Sequence, residues 1–256
     1  MKIIVLVKQV PDTWGDRKLD AAGRLARSTG ESVIDEIDER ALEVALSYHD
    51  SSGAEVVALS MGPASVNEVL RKSLAMGAHS AIHVLDDALV GSDVGWTTST
   101  LAAAITMTGF DLVVTGNEST DGRGGVIPAM IAEKLGIPHL TFLNTVEISA
   151  DAVTGERSTE TGTLTVHATL PAVISVTERS AEPRFPTFKG IMRAKKKPLT
   201  VMTLADLGIE ASFLGVARAV VLTTTERPAR TAGSKIIDDG NAGNELADFL
   251  ALGRLI

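Results

Sequence analysis

Apolar residues fall into two kinds of run along this chain. Short, nearly continuous ones occupy residues 3–7, 55–60, 81–85 and 111–115, each closed by Gly, Pro or Asp. Between them, apolar positions recur at three- and four-residue spacing. Continuous runs suit strands buried on both faces and spaced runs suit helices laid on a sheet, so the first half of the chain predicts a parallel α/β sheet. The first helix is expected to start near Asp35, whose carboxylate can cap free amides, and to turn Ile37, Ala41, Leu42, Ala45 and Leu46 to one face. Ser65-Val66-Asn67-Glu68 has the form of a capping box, opening a second helix through Val69, Leu70 and Leu74 to a stop at Gly77. A third helix is predicted over residues 92–108 and a fourth over 125–135, the latter ended by Gly136 and Pro138.

Beyond Pro138 the texture changes. Shorter runs at residues 142–149, 162–169 and 171–177, with a turn at 151–154, predict an antiparallel addition to the parallel sheet. Residues 182–199 are basic and punctuated by Pro and Gly, as expected of an ordered surface loop or short helix. After Gly208 the pattern is weak until residues 245–255, where Leu246, Phe249 and Leu250 share a helical face. The stretch 223–243, with Pro228, Gly233, Gly240 and Gly243, reads as an arm that needs another surface to order it.

Composition narrows the chemistry. The 256 residues, 45% of them hydrophobic, are enough for a substantial core. There is no cysteine, which excludes thiolate catalysis, Cys-ligated zinc, Cys-ligated iron–sulfur clusters and disulfides. A net charge of −8 argues against nucleic acid as the main partner, since such binding rests on neutralising phosphates with Lys and Arg. The N-terminal apolar run is too short for a signal or membrane span, and no later stretch approaches the roughly 18 apolar residues that a span requires. The expectation is a cytoplasmic protein without membrane insertion.

The segment best suited to a ligand is Thr115-Gly116-Asn117-Glu118-Ser119-Thr120-Asp121-Gly122-Arg123-Gly124-Gly125-Val126-Ile127-Pro128, which follows the fourth strand. In open parallel sheets ligands lie beyond the carboxyl ends of the strands, and a glycine-rich loop entering a helix directs free amides at an anion. Asp121 is placed to accept hydrogen bonds from a ribose. The same composition also fits a tight surface turn, and the loop matches neither the Walker A pattern nor G-x-G-x-x-G. The turns at residues 8–12 and 60–63 would open on the same edge, with core packing the simpler role for Met61. His79 and His83 have metal-ligand spacing on a helix, but Gly77 ends the helix before them, so no metal site is expected. No acid–base pair or G-x-S-x-G elbow is visible, and no catalytic residue is assigned. Arg193, Lys195, Lys196 and Lys197 adjoin Phe185, Phe188, Ile191 and Met192, which suits either a solvated loop or an apolar anchor ringed by charge for docking.

Several blocks resemble one family in register. Val7-Lys8-Gln9-Val10-Pro11-Asp12-Thr13, Gly62-Pro63 with Leu74-Ala75-Met76-Gly77-Ala78, the stretch around Ala168-Thr169-Leu170-Pro171-Ala172-Val173-Ile174, and Phe188-Lys189-Gly190-Ile191-Met192-Arg193-Ala194-Lys195-Lys196-Lys197 are similar to the β subunit of electron transfer flavoprotein. The resemblance implies a three-layer α/β parallel sheet of the adenine-nucleotide-binding type, with an antiparallel addition and an extended C-terminal arm. Residues 1–207 would form the nucleotide-binding domain, including a recognition loop at 184–198, and residues 208–256 an arm and helix packing on an α subunit. It further implies FAD held mainly by that α subunit, and AMP in the β subunit. The complex would take electrons from acyl-CoA and related dehydrogenases and pass them through a quinone oxidoreductase to the respiratory chain. Carried over by residue, Leu6, Lys8 and Met61 would line the adenine pocket, Gly116 would lie near the base and Asp121 near the ribose. The backbone around Gly124, Gly125, Val126 and Ile127 would hold the phosphate. Phe188 would be the apolar anchor for dehydrogenases, supported by Ile191, Met192, Arg193, Lys195 and Lys196, while the turn from Pro11 to Trp14, and Ile37, could approach the flavin. Many members have Asn-Pro where this chain has Asp35-Glu36, and Gln-Val-Gly-Pro where it has Gly125-Val126-Ile127-Pro128. Two other readings remain: a bifurcating, NADH-oxidising flavoprotein subunit with a second FAD, and a stand-alone adenine-nucleotide-binding module.

Overall fold

A computed structural model describes the chain except for residues 16, 17, 28, 29, 211–218, 226, 234 and 236. It divides into two compact units, Met1–Leu222 and Thr223–Ile256. In chain order the first unit contains β1 (Lys2–Leu6), β2 (Gln9–Pro11), β3 (Ser32–Ile34), α1 (Glu36–Ser52), β4 (Glu55–Met61), α2 (Val66–Met76), β5 (Ser80–Val84), α3 (Val94–Thr108), β6 (Leu112–Gly116) and α4 (Ile127–Leu135). It continues with β7 (His139–Leu143), β8 (Thr145–Ile148), β9 (Ala152–Thr159), β10 (Gly162–Thr169), β11 (Ala172–Val176), α5 (Phe188–Ala194) and β12 (Leu199–Met202). The second unit holds α6 (Ala242–Leu252).

Seven strands form one sheet in the order β12-β5-β4-β1-β6-β11-β7, every neighbouring pair parallel. Alternation along β1 and the residue that follows it decides the layering. Ile3, Val5 and Val7 pack with Leu42, Leu46, Leu70 and Leu74 of α1 and α2, while Ile4 and Leu6 pack with Leu101, Ile105 and Ile131 of α3 and α4. The three-layer fold therefore follows from strands that are apolar on both faces. Three further strands form an antiparallel sheet in the order β10-β9-β8, whose Val153 and Ala168 are buried in the α1/α2-side cluster.

The structure corrects three local expectations. The stretch 171–177 is not part of the antiparallel addition: β11 is wholly buried and runs parallel between β6 and β7. Its continuous apolar run already had the signature of a central strand. The turn expected at 151–154 is shorter, because β9 already starts at Ala152 and pairs with both β8 and β10. Ser65 makes no capping bond: its hydroxyl donates to Gln9 Oε1 at 2.7 Å, and Gln9 Nε2 donates back to the Ser65 carbonyl at 3.2 Å. Asp35 does cap α1, accepting from the Ile37 amide at 3.1 Å.

Candidate functional site

The carboxyl ends of β1 and β6 meet the first turn of α1, and three aspartates organise the junction. Asp38 accepts from the Lys8 amide at 2.8 Å and the Gly116 amide at 3.0 Å, tying both strand ends to the helix. A Cβ on Gly116 would lie 2.6 Å from Asp38 Oδ1 and 3.2 Å from Ile37 Cγ2, so only glycine lets helix and strand come this close. Asp35 is fully buried, and its second oxygen accepts from the Thr120 amide at 2.7 Å and the Thr120 hydroxyl at 2.9 Å. Burial, then the neighbouring charge of Asp35, pushes the Asp38 carboxyl well above its ordinary range, against the pull of the two amides and Lys8.

Asp121 lies one step along the loop. Its Oδ1 accepts from Lys8 Nζ at 2.7 Å and the Gly122 amide at 2.6 Å, and its Oδ2 from Arg27 at 2.7 Å. Lys8 Nζ also donates to the Ser119 hydroxyl at 3.0 Å, and Arg27 to the Gln9 carbonyl at 3.1 Å. Burial would raise the Asp121 carboxyl, but Lys8, Ser119 and Arg27 outweigh it and hold the group far below the ordinary aspartate range. Lys8 and Asp121, both expected at the site, are thus brought into direct contact.

The second half of the loop differs. Gly124 and Val126 are exposed, and the amides of Gly124, Gly125, Val126 and Ile127 have no acceptor among the described residues. Ile127 opens α4, whose following Pro128 has no N–H to offer. Such amides, together with the positive end of the helix, make an anion site. Asn117 adds a second signal: it is only 7% exposed and its Oδ1 has no hydrogen-bond partner among the described residues. A buried acceptor without a donor is costly, and a ligand donor such as an amino or hydroxyl group would satisfy it. A ligand with a single phosphate at the α4 amides and a donor group near Asn117 would match this set.

Leu6 is buried and Met61 partly buried, both in the α3/α4-side core, which supports the packing role for Met61. Ile37 is buried against Gly116 rather than presented outward, whereas Trp14 is almost wholly exposed. His79 Nδ1 accepts from the Val56 amide and His83 Nε2 pairs with the Gly62 carbonyl, so the two imidazoles serve separate backbone groups. Arg27, Asp38, Asn117, Ser119 and Thr120 were not singled out as site residues from the sequence. Asn117, Ser119 and Thr120 fall within the loop expected to bind a ligand without being distinguished there, and Asp38 shows as a charge within the apolar face of α1. Phe142 is another such residue. It adopts φ 60° beside the irregularity in β7–β11 pairing, and its ring tip reaches within 3.5 Å of a Cβ built on Gly125.

A separate surface surrounds α5. Phe188 is 78% exposed, Met192 51% and Ile191 46%, and Arg193, Lys195 and Lys196 are exposed beside them. Lys197 leaves this basic run: its ammonium donates to the carbonyls of Leu74, Gly77 and Ala78 at 2.9, 3.1 and 2.6 Å.

Comparison with known proteins agrees with this architecture. The electron transfer flavoprotein domain family matches residues 23–207. The electron transfer flavoprotein subunit beta of Mycobacterium tuberculosis is 50% identical over 263 aligned positions, covering 99% of each chain. That of Thermoanaerobacterium thermosaccharolyticum is 35% identical over 90% of each. The caffeyl-CoA reductase-Etf complex subunit CarD of Acetobacterium woodii is 34% identical over 98% of this chain and 96% of its own. From the parallel sheet to the basic stretch after β11, the chain belongs to the electron transfer flavoprotein family, among its β subunits.

Proposed function

We propose that this chain is the β half of a heterodimeric electron carrier that takes electrons from acyl-CoA and related dehydrogenases and delivers them to a quinone oxidoreductase of the respiratory chain. Its own site would hold AMP, and the α subunit would hold most of the FAD. The flavin supplies one- and two-electron chemistry, and this chain contributes position and docking rather than bond-breaking residues. Residues 208–256 would pack on the α subunit, and the α5 surface would receive the dehydrogenase, with Phe188 as its apolar anchor.

The observation that carries the nucleotide reading is the distribution of donors. The amides of Lys8, Gly116, Thr120 and Gly122 are already taken by Asp38, Asp35 and Asp121. A contiguous group of amides, from Gly124 to Ile127 at the start of α4, has no acceptor among the described residues. That set suits one phosphate, the group an AMP carries. Toward β1 the exposed charges are the cations of Lys8 and Arg27, with Asp121 buried between them, so the choice between AMP and a second FAD falls to nucleotide content. The alternative, an NADH-oxidising subunit with two flavins, keeps its interest because one relative is named for a caffeyl-CoA reductase complex.

Co-expression with the α subunit, heat release and identification of the nucleotides test the proposal. One FAD and one AMP per heterodimer is the expected result, and two FAD would replace it with the alternative. Chain expressed alone as a stable ATP-binding homodimer would point to a stand-alone module.

A further inference from the structure

The α5 helix has too little of its own to stay folded. It is seven residues long and only Ala194 is buried, whereas isolated helices below about 12–15 residues are marginal in water. Its order comes from the segments on either side. Ahead of it, Arg184 forms a fork on α1: Nε and the Arg184 amide reach Glu43 Oε2 at 2.7 and 3.0 Å, and Nη2 reaches Glu43 Oε1 at 2.8 Å and Asp50 Oδ2 at 2.9 Å. Burial would raise the Glu43 carboxyl, but the Arg184 bonds and charge bring it below its ordinary value. Behind the helix, Lys197 spans the three carbonyls at the end of α2, and Arg71 of α2 donates to the Ala194 carbonyl at 2.8 Å. Between these ties the helix lies directly on α2, where a Cβ on Gly190 would collide with the Ala75 carbonyl.

The basic residues of this region therefore divide into two groups. Lys189, Arg193, Lys195 and Lys196 form no ion pair among the described residues, while Arg184 and Lys197 face inward, one at each end of α5. We infer that Arg184 and Lys197 are positioning residues that hold α5 in its docking pose before any partner arrives. This inference rests on the docking role proposed for α5. A helix in that pose only a tenth of the time would weaken apparent affinity about tenfold, without touching the electron-transfer step.

The test uses the heterodimer with its α subunit, purified acyl-CoA dehydrogenase as electron donor, and two variants. Arg184→Gln is combined with Glu43→Gln, because removing the arginine alone would leave a buried carboxylate unpaired. Lys197→Met is the second. Each is expected to raise KM for the dehydrogenase about tenfold and to speed amide exchange across residues 188–194 by at least that factor, because exchange follows the open fraction, which rises from a minority to about nine-tenths. The maximal rate and FAD content should stay unchanged. Arg184→Lys, which keeps the charge but not the fork, should fall between. Unchanged exchange overturns the inference, and so does faster exchange with unchanged KM. Phe188→Ala is measured alongside: if it leaves KM unchanged, the docking role itself is wrong, whatever the two positioning variants do.

Discussion

Three aspartates within one junction carry different loads. Asp38 joins two strand ends, Asp35 caps a helix and fastens the loop, and Asp121 balances two cations. Gly116→Ala should be among the most damaging small substitutions in the chain, because its methyl would enter the space of Asp38 and Ile37. A loss of about 2–4 kcal/mol in urea unfolding is expected. The acid behaviour is equally specific. Asp121 is held below its ordinary value of 3.8, so its contribution is complete above that pH and is lost as pH falls below it. In Asp121→Asn the unfolding free energy should be lower at pH 7 and decline less steeply below pH 4. Of this junction, Lys8 and Asp121 were legible in the sequence because each sits in a turn next to a strand end. Arg27 and Asp38 were not, since their partners lie 94 and 78 positions away and no local pattern reports such a pairing.

Among the elements, α1 shows how capping and tertiary contact combine. Asp35→Ala removes the bond to Ile37 and both bonds to Thr120, so urea unfolding should record a loss above the about 1 kcal/mol of a typical cap. A loss no larger than that would mean the Thr120 bonds add nothing. The apolar face of α1, the periodicity and Gly77 stop of α2 and the Gly136–Pro138 stop of α4 are local signals, which is why these helices were legible in the sequence. The hydroxyl of Ser65 went to Gln9 instead of its own helix, a choice between partners that a local motif cannot resolve. The hairpin of β2 and β3 and the edge strand β12 also escaped the sequence reading. Each is only three or four residues long and half-exposed, too short for a period to be read from it.

At the scale of the whole molecule, a net charge of −8 coexists with a basic rim around α5. Replacing Arg193, Lys195 and Lys196 with Glu should slow association with an acidic dehydrogenase face at least tenfold at low salt, an effect that shrinks as ionic strength rises. Stopped-flow rates across a salt series would measure it. In the second unit, Leu246 and Phe249 are exposed on α6. Leu246→Asp with Phe249→Asp is expected to weaken binding of the α subunit at least tenfold while leaving the urea midpoint of the first unit unchanged. Titration of the two purified subunits would reveal an error.

By itself the sequence determined the layered α/β plan, the loop after β6 and the apolar-basic stretch after β11, because each is written in periodicity, glycine placement or composition over a few adjacent residues. Only the tertiary structure decided where β11 inserts, which donors of the loop remain free and which lysine turns inward. Those outcomes depend on competition among partners distant along the chain, and that competition is settled by packing rather than by any local signal.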